Sequence, residues 1–260
     1  MKIVLSRKGF DSQYGRIPSP ILPDGTLLSL PIPTSESGRR FSDLRHQGWC
    51  YSDLITALGG DQTVAGGCCH LDPDLRPGDA AGWVPAFGQT GAAQTHLANQ
   101  GVGVGDLFLF FGRFRQTAYA PDGRLRYVRS APTQHIVFGY LQVGAIVLGD
   151  QVRDYPWHPH AENPDPLPNN TLYLANERLT FTDGAGSGIL DHRDDRVLTA
   201  PGLAQSRWRL LDWMESASIS YHTKASIKES YFQSTAKGQE FVVDGGSLIQ
   251  DWAESLILGT

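Results

Sequence analysis

The sequence predicts an α+β fold with a mostly β core and short peripheral helices, and three observations lead there. Residues 107–111 and 136–147 are continuous apolar, β-branched and aromatic runs bounded by glycines, the pattern of strands buried on both faces or closing a barrel. Glycine (29) and proline (16) together exceed one residue in six of the 260, which favours short strands and many turns and excludes a helical bundle. With 40% hydrophobic and 19% charged residues, the chain is not globally disordered and can bury a proper core without disulfide or metal staples.

Taken in order, a strand is expected at 2–5, followed by extended, irregular backbone through Pro18, Pro20, Pro23, Pro31 and Pro33. Residues 51–58 suit a short helix, and 59–67 read as a glycine-rich loop leading to Cys68. A second short helix fits 90–98, entered from Gly88-Gln89 and left at Asn99-Gln100-Gly101, and the two core strands come next. Five prolines between 155 and 170 predict a loop without regular structure, a lid or a seam. Short strands are expected at 171–174 and 179–182, with a turn at 184–188. Residues 207–215 place Trp208, Leu211 and Met214 at helical spacing. The last elements are a strand at 240–243 and a helix at 247–258, with Ile249, Trp252, Ala253, Leu256 and Ile257 on one face and Ser247 able to cap the first turn.

No internal repeat is present, and a single domain over 1–260 is expected. The chain has no apolar run of the about 18 residues a bilayer span needs, and its first five residues are too short for a secretory core before Arg7 and Lys8. A cytoplasmic protein is therefore expected. Three cysteines, Cys50, Cys68 and Cys69, make an odd count that fits reduced thiols.

Charge is unevenly placed. Between residues 107 and 130 five arginines (Arg113, Arg115, Arg124, Arg126, Arg129) face one acid, Asp122, a local +4 that leaves −9 for the rest of a chain whose formal charge is −5. Pro121-Asp122-Gly123 is a turn signal between β-prone runs, so these arginines should ride on a projecting hairpin. Arginine forks suit phosphate oxygens, and Phe114, Tyr119 and Tyr127 among them offer faces for stacking on bases. A solvated hairpin paired with the acidic remainder is the ordinary alternative.

The densest reactive cluster is Cys68-Cys69-His70-Leu71-Asp72-Pro73-Asp74, preceded by His46, Cys50, Tyr51 and Asp53. Zinc accepts Cys and His, and Cys50, Cys68 or Cys69 with His46 or His70 could supply them, but no Cys-x-x-Cys spacing is present, so no cofactor or metal is expected and zinc is the weaker alternative. Nucleophilic catalysis needs an activated thiolate with an oriented histidine, and Cys69, His70 and Asp72 supply those types. If 69–72 is extended, side chains alternate: Cys69 shares a side with Leu71 and His70 shares one with Asp72. The ordinary use of each cysteine is as a small buried hydrophobe. His158-Pro159-His160 lies in the proline-rich stretch without a carboxylate at a recognised spacing and reads as exposed loop. Gly101-Val102-Gly103-Val104-Gly105-Asp106 precedes a strand rather than a helix, which excludes a dinucleotide fingerprint.

Several segments together carry a resemblance. Ser6-Arg7-Lys8-Gly9-Phe10-Asp11-Ser12, Pro18-Ser19-Pro20-Ile21-Leu22-Pro23-Asp24-Gly25-Thr26, Cys69-His70-Leu71-Asp72-Pro73-Asp74-Leu75, Gly105-Asp106-Leu107-Phe108-Leu109-Phe110-Phe111-Gly112, His135-Ile136-Val137-Phe138-Gly139-Tyr140-Leu141 and Gly238-Gln239-Glu240-Phe241-Val242-Val243-Asp244 are similar to segments of the nucleotide modification associated domain family, third type. The resemblance runs end to end and implies association with bacterial and phage systems that modify or hypermodify nucleic-acid bases. The two core strands also resemble the core of pseudouridine-synthase-and-archaeosine-transglycosylase-like barrels, whose mouths often hold bases.

The resemblance and the reactive cluster together lead to the expectation of an enzyme acting on a flipped DNA base, with Cys69, His70 and Asp72 as its reactive groups. Asp11, Ser12, His46, Tyr51, Asp53, Gln239 and Glu240 would line the base pocket, and Arg7, Lys8, Arg113, Arg115, Arg124, Arg126 and Arg129 would hold phosphates. On a 7-deazaguanine carrying a nitrile, hydration or thiol addition is within reach of these groups. A non-catalytic reader of modified DNA, or a scaffold for other modification enzymes, is the alternative.

Overall fold

Alternate residues of a strand point to opposite faces, and the 107–111 run feeds two cores at once. Leu107, Leu109 and Phe111 pack with Ile3, Leu5, Trp208, Phe241 and Ile249, whereas Phe108 and Phe110 pack with Phe87, Leu97 and Tyr173. The structure, a computed structural model, describes residues 1–35, 38–76, 80–162, 166–235 and 240–259. It is mixed α+β, with a large sheet and few short helices. None of the described helices is long and apolar enough to cross a membrane.

Leu107–Tyr119 is the middle of a ten-stranded sheet, flanked by Ile3–Arg7 in parallel and Gln134–Leu148 in antiparallel pairing. The path runs on one side through Glu240–Asp244 to Ser218–Ile219, and on the other through Thr171–Ala175 to Ala86–Gln89. Register shifts at Val137/Gly139 and Val143/Ala145 interrupt the Gln134–Leu148 ladders, and bulges of this kind bend and twist a strand. The sheet curls until its distant strands meet: Gln89 Nε2 donates to Glu240 Oε1 at 2.8 Å across four intervening strands. No ladder joins those two strands among the described residues.

Gly246–Leu258 covers one face with Ile249, Ala253 and Leu256, and Gly91–Asn99 contributes Leu97 to the other. A third apolar cluster lies in the first 70 residues, where Phe10, Leu28, Phe41, Leu54 and Cys69 pack together with Leu125. The hairpin forms as expected, Leu125–Tyr127 pairing back on the end of Leu107–Tyr119. It does not project, because Leu125 is buried in that third cluster and the Tyr127 hydroxyl donates to the Pro18 carbonyl.

Other expectations are corrected. Part of the 59–67 loop is a helix, Gln62–Ala65, because the Asp61 carboxylate accepts from the N–H groups of Thr63 and Val64 and caps it. The stripe at 207–215 is not a helix: Trp208 pairs in a ladder with Phe232, and only Asp212–Met214 turns as a 3-10 helix. No strand forms at 179–182, which bends and turns instead. The last helix begins after Gly245 and takes no side-chain cap from Ser247. Gly103 and Lys2 donate backbone N–H bonds to the two Asp106 oxygens, a structural use of the 101–106 loop.

Candidate functional site

The alternation expected of residues 69–72 sorts the reactive cluster. Cys68–His70 is a strand held between Ile32–Thr34 and Arg39–Arg40. Cys69 faces the third apolar cluster, as does Leu71, while His70 and Asp72 face the sheet. The Cys69 Sγ donates to the Arg39 carbonyl at 3.2 Å, and burial pushes the thiol up to about 12. The structure therefore corrects the expectation of a Cys69 nucleophile, which would need a lowered pKa.

Asp72 instead stands at the centre of an imidazole cluster. His70 Nε2 lies 3.8 Å and His160 Nε2 3.9 Å from its Oδ2, and His158 Nε2 lies 3.4 Å from its Oδ1. The Gly88 N–H also donates to Oδ1 at 2.9 Å. His158-Pro159-His160 is thus no exposed loop, since His158 is fully buried and His160 is 9% exposed. Its short helix, Pro159–Glu162, brings both rings to the sheet edge. The close approach depends on Gly88, where a Cβ would come within 2.3–2.7 Å of the His160 ring.

Hydrogen bonds assign the tautomers. Asn170 Nδ2 donates to the His160 carbonyl, so its Oδ1 accepts from His160 Nδ1 at 2.7 Å and the His160 lone pair sits on Nε2. His158 Nδ1 accepts the His160 N–H, so its own proton sits on Nε2, facing Asp72. Burial lowers His70 to about 4 and lowers His160 as well, so both are neutral at pH 7. Burial alone would raise Asp72, but the His158 ring N–H facing it and nearby positive charge, including Lys8, hold it well below the usual carboxylate range. Asp74, two residues on, is raised by burial although Trp83 Nε1 donates to it at 2.9 Å.

A cavity of about 490 Å³ adjoins this centre: Asp72 belongs to its lining, whereas His70, His158 and His160 do not. Its apolar wall includes Leu75, Phe138 and Ile189, and Arg39, Arg45 and Arg76 bring positive charge to it. Arg76 Nη1 donates to the Tyr51 hydroxyl at 2.7 Å, which fixes one of these forks in the wall.

Of the expected pocket residues, Tyr51 lines this cavity. Asp11 and Ser12 do not: the Asp11 carboxylate accepts from Gln13 and Tyr14 in a turn of its own. His46 pairs with Trp49 beside it, and Asp53 is exposed on another surface. Glu240 is fully buried in an ion pair with Lys8, 3.1 Å apart, beneath the site; Gln239 lies outside the described residues.

Lys8 is thereby unavailable to phosphate, and Arg7 is half-buried at the end of its strand. Arg113 bonds Gln205 and Arg115 bonds the Val128 and Arg129 carbonyls, whereas Arg124, Arg126 and Arg129 are exposed, Arg126 in a surface ion pair with Asp122 at 2.6 Å. Arg124 and Arg126 border a groove of about 760 Å³ with Asp53 and Tyr127. The helix Tyr51–Ala57 separates the two recesses, giving Tyr51 to the cavity and Asp53, Thr56 and Ala57 to the groove.

Sequence reasoning missed His158, His160 and Asn170. The available signal was compositional: two histidines bracketing a proline, together with a His-x-Asp on one strand face, make a set of imidazoles around one carboxylate. Among known proteins, the family model described as nucleotide modification associated domain 3 matches residues 2–244. No curated protein and no solved structure matches the chain.

Proposed function

The chain belongs to the nucleotide modification associated domain 3 family, whose description carries a role in nucleotide modification, and we propose that within it the protein is a base-modifying enzyme. The base enters the 490 Å³ cavity, of a size that suits one nucleotide, against Leu75, Phe138 and Ile189. Arg39, Arg45 and Arg76 receive the phosphate, and the chemistry takes place at His70, Asp72 and His160.

One observation carries this reading: Asp72, a buried carboxylate held ionised beside the neutral imidazoles of His70 and His160, belongs to the lining of a nucleotide-sized cavity, with a second carboxyl, Asp74, shifted the other way in the same lining. Groups whose surroundings drive their pKa values apart are the equipment of acid–base chemistry. The reaction favoured is activation of water toward a substituent of the base. On a 7-deazaguanine nitrile, oxygen adds to carbon and two protons to nitrogen; the base gains one water and nothing leaves.

The test is in the native host. Digested DNA nucleosides are compared by mass spectrometry in strains carrying the intact gene, a deletion and Asp72→Asn. A nucleoside lost alike in the deletion and in Asp72→Asn supports the reading; identical nucleosides in a host that does carry a modified base refute it.

A second reading, a non-catalytic reader of modified DNA, rests on the exposed Arg124 and Arg126 beside their groove. It predicts tighter binding to modified than to plain DNA. Affinity for both should fall, with a shallower salt dependence, when the two arginines become alanine.

A further inference from the structure

We infer that Oδ2 of Asp72 and the Nε2 atoms of His70 and His160 form the binding site for one first-row divalent transition ion. The inference concerns the same centre as the proposed function, but binding of the ion does not depend on what the substrate is.

Electron pairs crowd this centre. Asn170 holds the proton of His160 on Nδ1, so the Nε2 lone pair points at a buried carboxylate oxygen 3.9 Å away with no proton of its own between them. A second imidazole, His70, meets the same oxygen at 3.8 Å. Lone pairs converging on negative charge away from water are unfavourable unless a cation lies among them. The three atoms lie within 4.8 Å of one another. First-row ions hold such ligands at about 2.0–2.2 Å, which sets them roughly 3–3.5 Å apart, so small side-chain rotations complete the geometry.

The surroundings are those of a metal ligand set. Imidazole ligands characteristically donate their other N–H to a carbonyl or carboxylate, as His160 does to Asn170. The other Asp72 oxygen is taken by the Gly88 N–H, leaving Oδ2 for the centre. The fully buried His158 Nε2 also points at the carboxylate yet makes no hydrogen bond of good geometry, a further polar group awaiting a rearranged partner. His70, whose side chain is one-third exposed, marks the open side, so three protein ligands leave positions for water or substrate. Two nitrogens and one oxygen favour ions of the zinc, iron(II) or manganese kind over calcium or magnesium, which prefer all-oxygen sets.

The test uses the full chain stripped with a chelator, titrated calorimetrically with Zn²⁺ and Mn²⁺ and followed with Co²⁺ by visible absorption. The expected result is one ion per chain, with Co²⁺ giving ligand-field bands and no thiolate charge-transfer band. His160→Ala and His70→Ala should each weaken binding by more than about 100-fold, Asn170→Ala by about 10–100-fold, and His46→Ala should leave it unchanged. Absence of binding by the wild-type chain, a thiolate band, or affinity unchanged in His70→Ala and His160→Ala would overturn the inference. The Co²⁺ spectrum of the wild-type chain decides the matter even where a variant fails to fold. Ion binding without any change of host nucleosides would defeat the base-modifying reading and leave the metal site standing; nucleoside changes by a chain that binds no ion would do the reverse.

Discussion

Replacing Gly88 by alanine should drive the His160 ring from its seat. The new Cβ would stand 2.3 Å from Cδ2, 2.6 Å from Cγ and 2.7 Å from Nε2 of that ring, where ordinary contact begins near 3.4 Å. The ring must retreat by about 1 Å, yet Asn170 holds residue 160 through one hydrogen bond to the ring Nδ1 and one to the backbone carbonyl, so the strand or this anchorage must give. Overpacking of this kind costs about 1–3 kcal/mol. At about 2–4 °C per kcal/mol for a chain of this length, the melting temperature should drop by about 2–12 °C. Gly103 is the control, because a Cβ there meets nothing within 4 Å and Gly103→Ala should be neutral or slightly stabilising. The assay is thermal unfolding of both variants, with the His160 ring resonances recorded by NMR. Equal melting temperatures and an unmoved His160 resonance would refute the packing argument.

Other expectations concern pH, the thiols and the buried ion pair. Burial holds His135 at about 3 and His70 at about 4 against an ordinary 6.5, so the unfolded chain binds more protons as pH falls through that range and stability must fall with it. His135 alone should remove about 2 kcal/mol between pH 8 and pH 5, read as a lower urea midpoint; a midpoint unchanged or higher at pH 5 contradicts the assignment. Iodoacetamide should label the half-buried Cys50 and Cys68 in the native protein and spare Cys69, and Cys69→Ala should retain base-modifying activity; rapid native labelling of Cys69 would restore its claim as a nucleophile. Lys8→Met should destabilise the protein by about 3–5 kcal/mol because Glu240 keeps a buried charge without its cation, and adding Glu240→Gln should recover much of the loss. A Lys8→Met variant of unchanged urea midpoint but weaker DNA binding would return Lys8 to a phosphate role.

Legibility in the sequence followed the range of the interactions. The 107–111 and 136–147 strands were readable because burial on both faces makes their apolar runs continuous, and the helix at 247–258 because burial repeats every three or four residues. The same local logic separated Cys69 from His70 and paired His70 with Asp72. Trp208 misled because helical spacing over nine residues does not reveal a ladder partner at Phe232. The rest of the centre was hidden by distance along the chain: His158 and His160 lie more than 80 residues from Asp72, and their proline-rich setting resembles a solvated loop until Gly88 and Asn170 are seen to seat the ring. The phosphate candidates divided for a similar reason. Charge could be counted in the sequence, but the partners that occupy Lys8, Arg113 and Arg115 come from strands and loops far along the chain or across a turn.

The central claim is that the Asp72 centre performs chemistry on a base held in the adjoining cavity. Its most direct test incubates purified full-length protein, wild type or Asp72→Asn, with DNA from the deletion strain and weighs the digested nucleosides. The wild-type protein should convert the accumulated precursor nucleoside to a heavier one, by one water if the substituent is a nitrile, and Asp72→Asn should leave it untouched while folding normally. Conversion by both proteins, or by neither when the precursor and the bound ion are present, would contradict the claim.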